Sequence, residues 1–173
     1  MAHPAQQEFC RDVKSRFPHF FKGTRVLEIG SRNVNGSVRD EFVDSDYTGV
    51  DVEKGPGVDV VCFGHEYQVD PESFDVVCSN ETFEHDPHAA QTVAHMLSLL
   101  RPGGLFFMTC AGEGRKEHGT TRTGACYGPD ANYYQNVSLS LFLTWIQESV
   151  FEELFLKDNR EVFDLYCYAI KAN

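Results

Sequence analysis

The sequence predicts an α/β fold: a doubly wound, mostly parallel sheet of seven strands that closes with a C-terminal antiparallel hairpin. Three observations carry that reading. Short apolar runs recur along the chain (VLEI at 26–29, VDVV at 58–61, FDVVC at 74–78, LFFMT at 105–109), each the length of a strand buried in a sheet. The first run enters a polar turn bounded by Gly30 and Gly36 and is followed by a second run ending on an acid, Asp51. Between the fourth and fifth runs, Ala90, Val93, Ala94, Leu97 and Leu100 recur at helical spacing.

Taken in order, residues from about Pro4 to Phe17 read as a helix, with Phe9, Val13 and Phe17 every four positions. It packs on the sheet, or also lids a cleft. The first strand holds Val26, Leu27 and Ile29; Gly36 to Phe42 has room only for a short helix, and Tyr47 to Val52 is the second strand. Gly55-Pro56-Gly57 makes a tight connection to the third strand, Val58 to Cys62, whose VDVV run suits burial on both faces. Phe74 to Cys78 is the fourth strand. Asp86-Pro87 signals a helix start, and Arg101-Pro102-Gly103-Gly104 ends that helix before the fifth strand, Leu105 to Thr109. A long polar loop, Cys110 to Val137, leads to a helix over Ser138 to Ser149 with Leu139, Leu143 and Ile146 inward. Phe151 to Leu156 and Val162 to Ile170, joined by a polar turn at Lys157 to Arg160, form the closing hairpin.

A chain of 173 residues fits one domain. Acidic residues outnumber basic ones by 26 to 15, for a net charge of -11, which repels nucleic acid and anionic membrane at long range. The N-terminal stretch lacks the apolar core of a signal peptide and no run is long enough to span a bilayer, so the protein reads as soluble and cytoplasmic. Of six cysteines, Cys62, Cys78, Cys110 and Cys167 sit in or beside strand-like runs, where a thiol behaves as a small hydrophobe. No C-x-x-C pair suggests a zinc knuckle or redox site, and Cys10 and Cys126 have no assigned role.

The stretch from Thr24 to Asp51 carries the first functional signal. In an open α/β sheet, ligands bind beyond the carboxyl ends of the strands, where the strand order reverses. An acid ending the second strand, Asp51, can accept two hydrogen bonds from a ribose diol, and Glu28 lies just before the turn at Gly30. A nicotinamide dinucleotide is the rival ligand, but its fingerprint needs a glycine two residues after the first, where this chain has Arg32. Glu28 would also repel a pyrophosphate, whereas it suits a sulfonium cation with a free amino group.

Val26-Leu27-Glu28-Ile29-Gly30 and Val50-Asp51-Val52 resemble the first motif and following acidic loop of the class I S-adenosylmethionine-dependent methyltransferases. The combination FDVV…FEH…LLRPGGLFF is similar to that family's fourth and fifth strand region, so the likeness covers roughly Thr24 to Thr109. It implies a Rossmann-like methyltransferase fold, a single domain over 1–173, and S-adenosylmethionine as cofactor. It assigns Glu28 and Gly30 to the amino-acid part and Asp51 to the ribose, with Ser31, Gly36 and Val52 beside them in the same turns. The adenine falls to Phe63, Gly64 and His65, through the His65 ring or a backbone amide; Asn80 and Glu81 border the methyl group.

Catalytic candidates follow the fourth and fifth strands. Glu81, Glu84 and His85 spell E-x-x-E-H, and His118 lies in the next loop. Three roles stay open for these four residues: a general base for the acceptor, ligands to a divalent metal of mixed oxygen and nitrogen taste, or hydrogen bonds that merely anchor the loop. The spacing is similar to the metal site of methyltransferases acting on the terminal ribose of small RNAs and of some ubiquinone-pathway O-methyltransferases. Arg115, Lys116, Arg122 and Tyr127 could bind an anionic or sugar-like group, or form a solvated surface run. The acidic balance disfavours RNA, so the expected partner is a small molecule, with O-methylation of a hydroxylated or sugar-like metabolite as the expected reaction. A sparse glycine turn and the lack of an acid after the third strand motivate the alternative, a cofactor-binding module without catalysis. Oligomeric state is left open.

Overall fold

Seven strands pair into one sheet in a computed structural model that describes residues 3–124 and 128–173, so Cys126 and Tyr127 lie outside the described residues. They are β1 (Arg25–Ile29), β2 (Asp46–Asp51), β3 (Val60–Val61), β4 (Phe74–Asn80), β5 (Leu100–Ala111), β6 (Phe151–Asn159) and β7 (Asp164–Lys171). Their order is β3-β2-β1-β4-β5-β7-β6; β7 runs antiparallel to both neighbours and the other pairings are parallel. The direction of winding reverses between β1 and β4, so the crevice for a ligand lies beyond their carboxyl ends.

Alternation along the strands sends side chains into two cores. Leu27, Ile29, Val77, Phe106 and Met108 pack with helix α2 (Ala89–Leu99) and the short helix α3 (Leu139–Leu143) on one face. Val26, Val76, Cys78, Leu105 and Phe107 pack with helix α1 (Pro4–Arg16) and the Phe20-Phe21 pair on the other. Of the fourfold repeat expected of α1, Phe9 and Val13 are buried against the sheet together with Cys10, while Phe17 caps the helix and packs there half-buried. Among the described residues no helix is long and apolar enough to cross a membrane.

Several sequence expectations need correction. The third strand is not buried on both faces; it is a two-residue edge strand, and Val61 is 54% exposed. Asp59 leaves the strand pattern because its carboxylate accepts from the Gly49 amide at 2.8 Å and from Arg39 at 3.0 Å. The segment expected as a short helix at 36–42 is a single 3₁₀ turn, Val38–Glu41, where the Arg39 amide donates to Ser37 Oγ. Helix α2 starts at Ala89, past Pro87, and buries Thr92, Val93, Met96 and Leu99, leaving Ala90 and Ala94 exposed. Asp86 still secures its first turn, accepting from the His88 amide at 2.7 Å and the Thr92 hydroxyl at 2.5 Å.

No turn separates α2 from β5. The strand begins at Leu100, and Arg101 to Gly104 are taken up as a bulge, since Phe74 pairs with Leu100 and Val76 with Leu105. The helix expected over 138–149 is only α3; Phe142 is its buried residue, whereas Leu139 is 36% exposed. Phe142 and Phe83 both pack edge-on against Trp145, which turns the chain towards β6 after one helical turn. β6 extends through Lys157 to Asn159, so the hairpin turn falls later, at 160–163.

Candidate active site

A cavity of about 340 Å³ opens at the carboxyl ends of β1, β2 and β4. That size is in the range of small-ligand sites. Glu28, Gly30, Ser31, Gly36, Asp51, Val52, Phe63, Gly64, Asn80, Glu81, His85 and His118 line it, which brings together all but two of the cofactor and catalytic candidates singled out from the sequence. The exceptions are His65 and Glu84. His65 turns aside to pack its ring 4.6 Å from that of His88 and 5.7 Å from that of Phe63, leaving Phe63 and Gly64 to form the wall. Glu84 lies behind His85 and His118, fully buried.

The backbone near the cavity is shaped by missing side chains. Gly30 has φ +79, and a Cβ there would collide with the Thr82 side chain. Its amide and that of Ser31 both donate to the Val50 carbonyl, at 2.8 and 3.1 Å, which folds the turn back over β2. A Cβ on Gly64 would come within 2.6 Å of Ile29 Cγ2. Ser31 Oγ is buried at the wall with no hydrogen-bond partner among the described residues.

Glu28 lies within β1 and is 5% exposed. Burial pushes its pKa up to about 7, against hydrogen bonds from Tyr47, 2.9 Å away, and from Asn80. Asp51, at the end of β2, accepts from the backbone amides of Arg32 at 3.1 Å and Glu53 at 3.0 Å. Each of its oxygens keeps a second lone pair. Burial raises its pKa while those two amides lower it.

Glu81 follows β4 directly, with φ 54, in the left-handed region that a side chain makes costly. Its amide is held by the Thr109 carbonyl at 2.8 Å. Neither carboxylate oxygen has a hydrogen-bond partner among the described residues; burial, then the charges of Glu84 and Asp164, raise its pKa to about 8. Asp164 is fully buried and accepts hydrogen bonds from Arg115 at 2.7 Å and Tyr166 at 3.0 Å, with His3 Nε2 2.8 Å away. The E-x-x-E-H run therefore splits: Glu81 belongs with His3 and Asp164, and Glu84 with His85 and His118. For Glu84, burial alone would raise the pKa, but His118 and His85 outweigh it and lower it; His85 is itself lowered, chiefly by burial.

A family model describing a methyltransferase domain matches residues 1–152. The chain belongs to the methyltransferase-domain family. Solved structures agree on the fold. The phosphoethanolamine N-methyltransferase 2 of Haemonchus contortus, in complex with phosphomonomethylethanolamine and S-adenosylhomocysteine, is 18% identical with a TM-score of 0.68, over 96% of this chain and 53% of that one. The 1,6-didemethyltoxoflavin-N1-methyltransferase of Burkholderia thailandensis, with its substrate and S-adenosylhomocysteine bound, is 17% identical at 0.67, over 98% and 79%. A SAM-dependent methyltransferase of Archaeoglobus fulgidus is 15% identical at 0.64, over 96% and 94%. The chain thus spans about half the length of the Haemonchus enzyme. No curated protein sequence matches it.

The cavity is also lined by residues that sequence reasoning did not single out. Gln6, Cys10 and Arg11 bring one flank of α1 to the cavity, and Cys10 Sγ lies 3.4 Å from Asn80 Oδ1. Thr82, Asp86 and Asp130 complete the wall. The polar Gln6 one turn before Cys10, on a helix read only for its apolar face, was the available signal. Conversely, two loop cations expected at a ligand are tied elsewhere: Arg115 to Asp164 and the Val162 carbonyl, Arg122 to Glu117 and the Asn132 carbonyl.

Proposed function

We propose that this methyltransferase transfers a methyl group from S-adenosylmethionine to a small hydroxylated metabolite held at the Glu81–His85–His118 end of the cavity. The observation that carries the reading is that Glu28 and Asp51, on separate strands, line one cavity of ligand size together with the unpartnered Ser31 hydroxyl. These groups fit the cofactor. Glu28 suits its ammonium group, Asp51 its ribose hydroxyls, and the Phe63–Gly64 backbone its adenine. When bound, the cofactor supplies an electrophilic methyl group on a sulfonium centre. The protein's part is then alignment of the acceptor and control of one proton.

Glu81 is the group placed to take that proton. It borders the cavity, its oxygens have no other partner, and a pKa near 8 leaves it competent as a base close to neutral pH. The wall also carries Asp40, Glu41, Asp86 and Asp130, which favours neutral acceptors over anionic ones. Two of the similar structures are named as N-methyltransferases, so the acceptor atom is the part of the proposal most in need of a direct test.

Calorimetry with S-adenosylmethionine and S-adenosylhomocysteine tests the cofactor site: both bind, and Asp51→Ala weakens both by at least about tenfold, equivalent to one lost charge-assisted hydrogen bond. Unchanged affinity in that variant refutes the site. Labelled methyl transfer into fractionated metabolite pools tests catalysis; binding without turnover on any pool is the outcome expected of a non-catalytic module.

A further inference from the structure

A row of polar side chains crosses from helix α1 to Glu28 along the cavity wall, and its hydrogen bonds run in one direction. Gln6 Nε2 lies 3.5 Å from Cys10 Sγ, and Cys10 Sγ lies 3.4 Å from Asn80 Oδ1. Gln6, Cys10, Asn80 and Glu28 all line the cavity. The far end is anchored, because the Tyr47 hydroxyl donates to Glu28 Oε2 at 2.9 Å. A thiol has one hydrogen to give and a sulfur that accepts weakly. Cys10 can therefore link its two neighbours only by donating to one and accepting from the other.

Glu28 decides which is which. An ionised carboxylate repels the oxygen of a neighbouring amide and attracts its NH₂ group, so Asn80 turns Nδ2 to Glu28 and favours the charged form. That leaves Oδ1 towards α1, where it takes the Cys10 hydrogen; the Thr109 hydroxyl reaches the same oxygen at 3.4 Å. With its hydrogen committed, the sulfur accepts from Gln6 Nε2. Gln6 is 3% exposed, and its remaining atom, Oε1, is buried without a partner among the described residues. Asn80 Nδ2 has no full hydrogen bond there either, beyond its approach to Glu28. Unpartnered amide atoms on two residues of one cavity wall point to a polar ligand beside them.

We propose that Gln6 and Cys10 are positioning residues for the cofactor: they hold the Asn80 amide with its donor towards Glu28, the carboxylate that pairs with the cofactor's ammonium group. The inference rests on the cofactor reading of Glu28 given above. Glu28 titrates at about 7, so as pH falls through that value the ammonium loses its partner and affinity drops. Tyr47 and Asp51 on β2, Arg39 on the 3₁₀ turn, Cys78 on β4 and Cys10 on α1 surround it. Burial pushes the phenol and both thiols up, away from this range. The Arg39 guanidinium favours the ionised Glu28 and Asp51, itself raised by burial, opposes it. Without the thiol, Asn80 is free to turn Oδ1 towards the carboxylate, and Glu28 becomes harder to ionise.

Calorimetry with S-adenosylhomocysteine from about pH 5.5 to 8 tests the relay. In the wild-type protein, affinity rises with pH through a midpoint of about 7. Cys10→Ala, checked for native circular dichroism, moves that midpoint up by about half a unit or more and weakens binding about three- to tenfold on the acid side. Cys10→Ser, which keeps a donor, restores the wild-type curve. Gln6→Leu shifts the midpoint the same way but by less, since the S–H remains. Midpoints unmoved in both Cys10→Ala and Gln6→Leu overturn the proposal even where affinity falls, because lost packing weakens binding without moving a titration. Equal shifts in Cys10→Ala and Cys10→Ser overturn it too. No binding by the wild-type protein at any pH removes the cofactor reading itself, whereas binding with an immovable midpoint removes only the relay.

Discussion

Two clusters of buried acids and histidines lie within reach of one cavity, and they are built differently. In one, Asp164 is the hub of a network: Arg115 and Tyr166 hydrogen-bond to it, and His3 Nε2 lies 2.8 Å away. In the other, Glu84 is just as deeply buried, but its two histidines stop 3.6 and 3.9 Å short of it. Burying a charge without hydrogen bonds costs several kcal/mol, so the two acids differ in what they cost the fold. The contrast separates an acid that holds the fold together from one whose nearest partners stand off, although the two look alike in composition.

The largest expected effect comes from breaking the Asp164 network. Asp164→Ala leaves the Arg115 guanidinium and His3 without their common partner, and is expected to cost about 3 to 5 kcal/mol in urea unfolding. A loss under about 1 kcal/mol would mean that the network is no more structural than its neighbour. Next in size is Glu81, which lies beside Asp164, with His3 Nε2 3.8 Å from its Oε2. Its folded pKa of about 8 lies above the unfolded value near 4.5, so the native state holds a proton that the unfolded state has released. Stability therefore falls as pH rises from about 4.5 to 8, and Glu81→Gln, which cannot ionise, gains roughly 2 to 4 kcal/mol above pH 8 and nothing below pH 4.5. The same titration predicts a methylation rate that rises with pH towards about 8, a limb absent from the pH profile of Glu81→Gln.

A finer test sets Glu84→Gln beside Asp164→Ala in the same urea unfolding experiment. Glu84 has no hydrogen bond to lose among the described residues, so the loss is expected to be well below that of Asp164→Ala. Equal losses in the two variants would erase the distinction between the clusters. At the small end, Arg122→Ala removes an exposed pair with Glu117 and should leave the melting temperature within its experimental scatter.

How much of this was legible in the sequence follows from how local each signal is. Glu28 and Asp51 could be placed because a strand, a glycine turn and a second strand fix their positions through neighbours along the chain. The same holds for β4, α2 and β5, although the buried face of α2 differs from the one expected: Thr92 counts as core once Asp86 bonds its hydroxyl. The third strand misled because VDVV reads as buried, while its place at the sheet edge depends on strand order, which local pattern does not encode. His65 was expected at the adenine and instead packs on His88, a residue that pattern alone leaves unconnected to it. The split of E-x-x-E-H was out of reach for the same reason: His3 and Asp164, at opposite ends of the chain, draw Glu81 away from Glu84.

One feature of the backbone ties the two halves of the cavity together. Gly30 belongs to the turn beside Glu28, Thr82 to the segment carrying Glu81 and His85, and the glycine has no Cβ because the threonine occupies that space. A substitution at position 30 would therefore act as a wedge, moving both halves at once. In a saturation library, cofactor binding and acceptor methylation should fail together at this position, whereas changes at Asp51 or His118 would separate them.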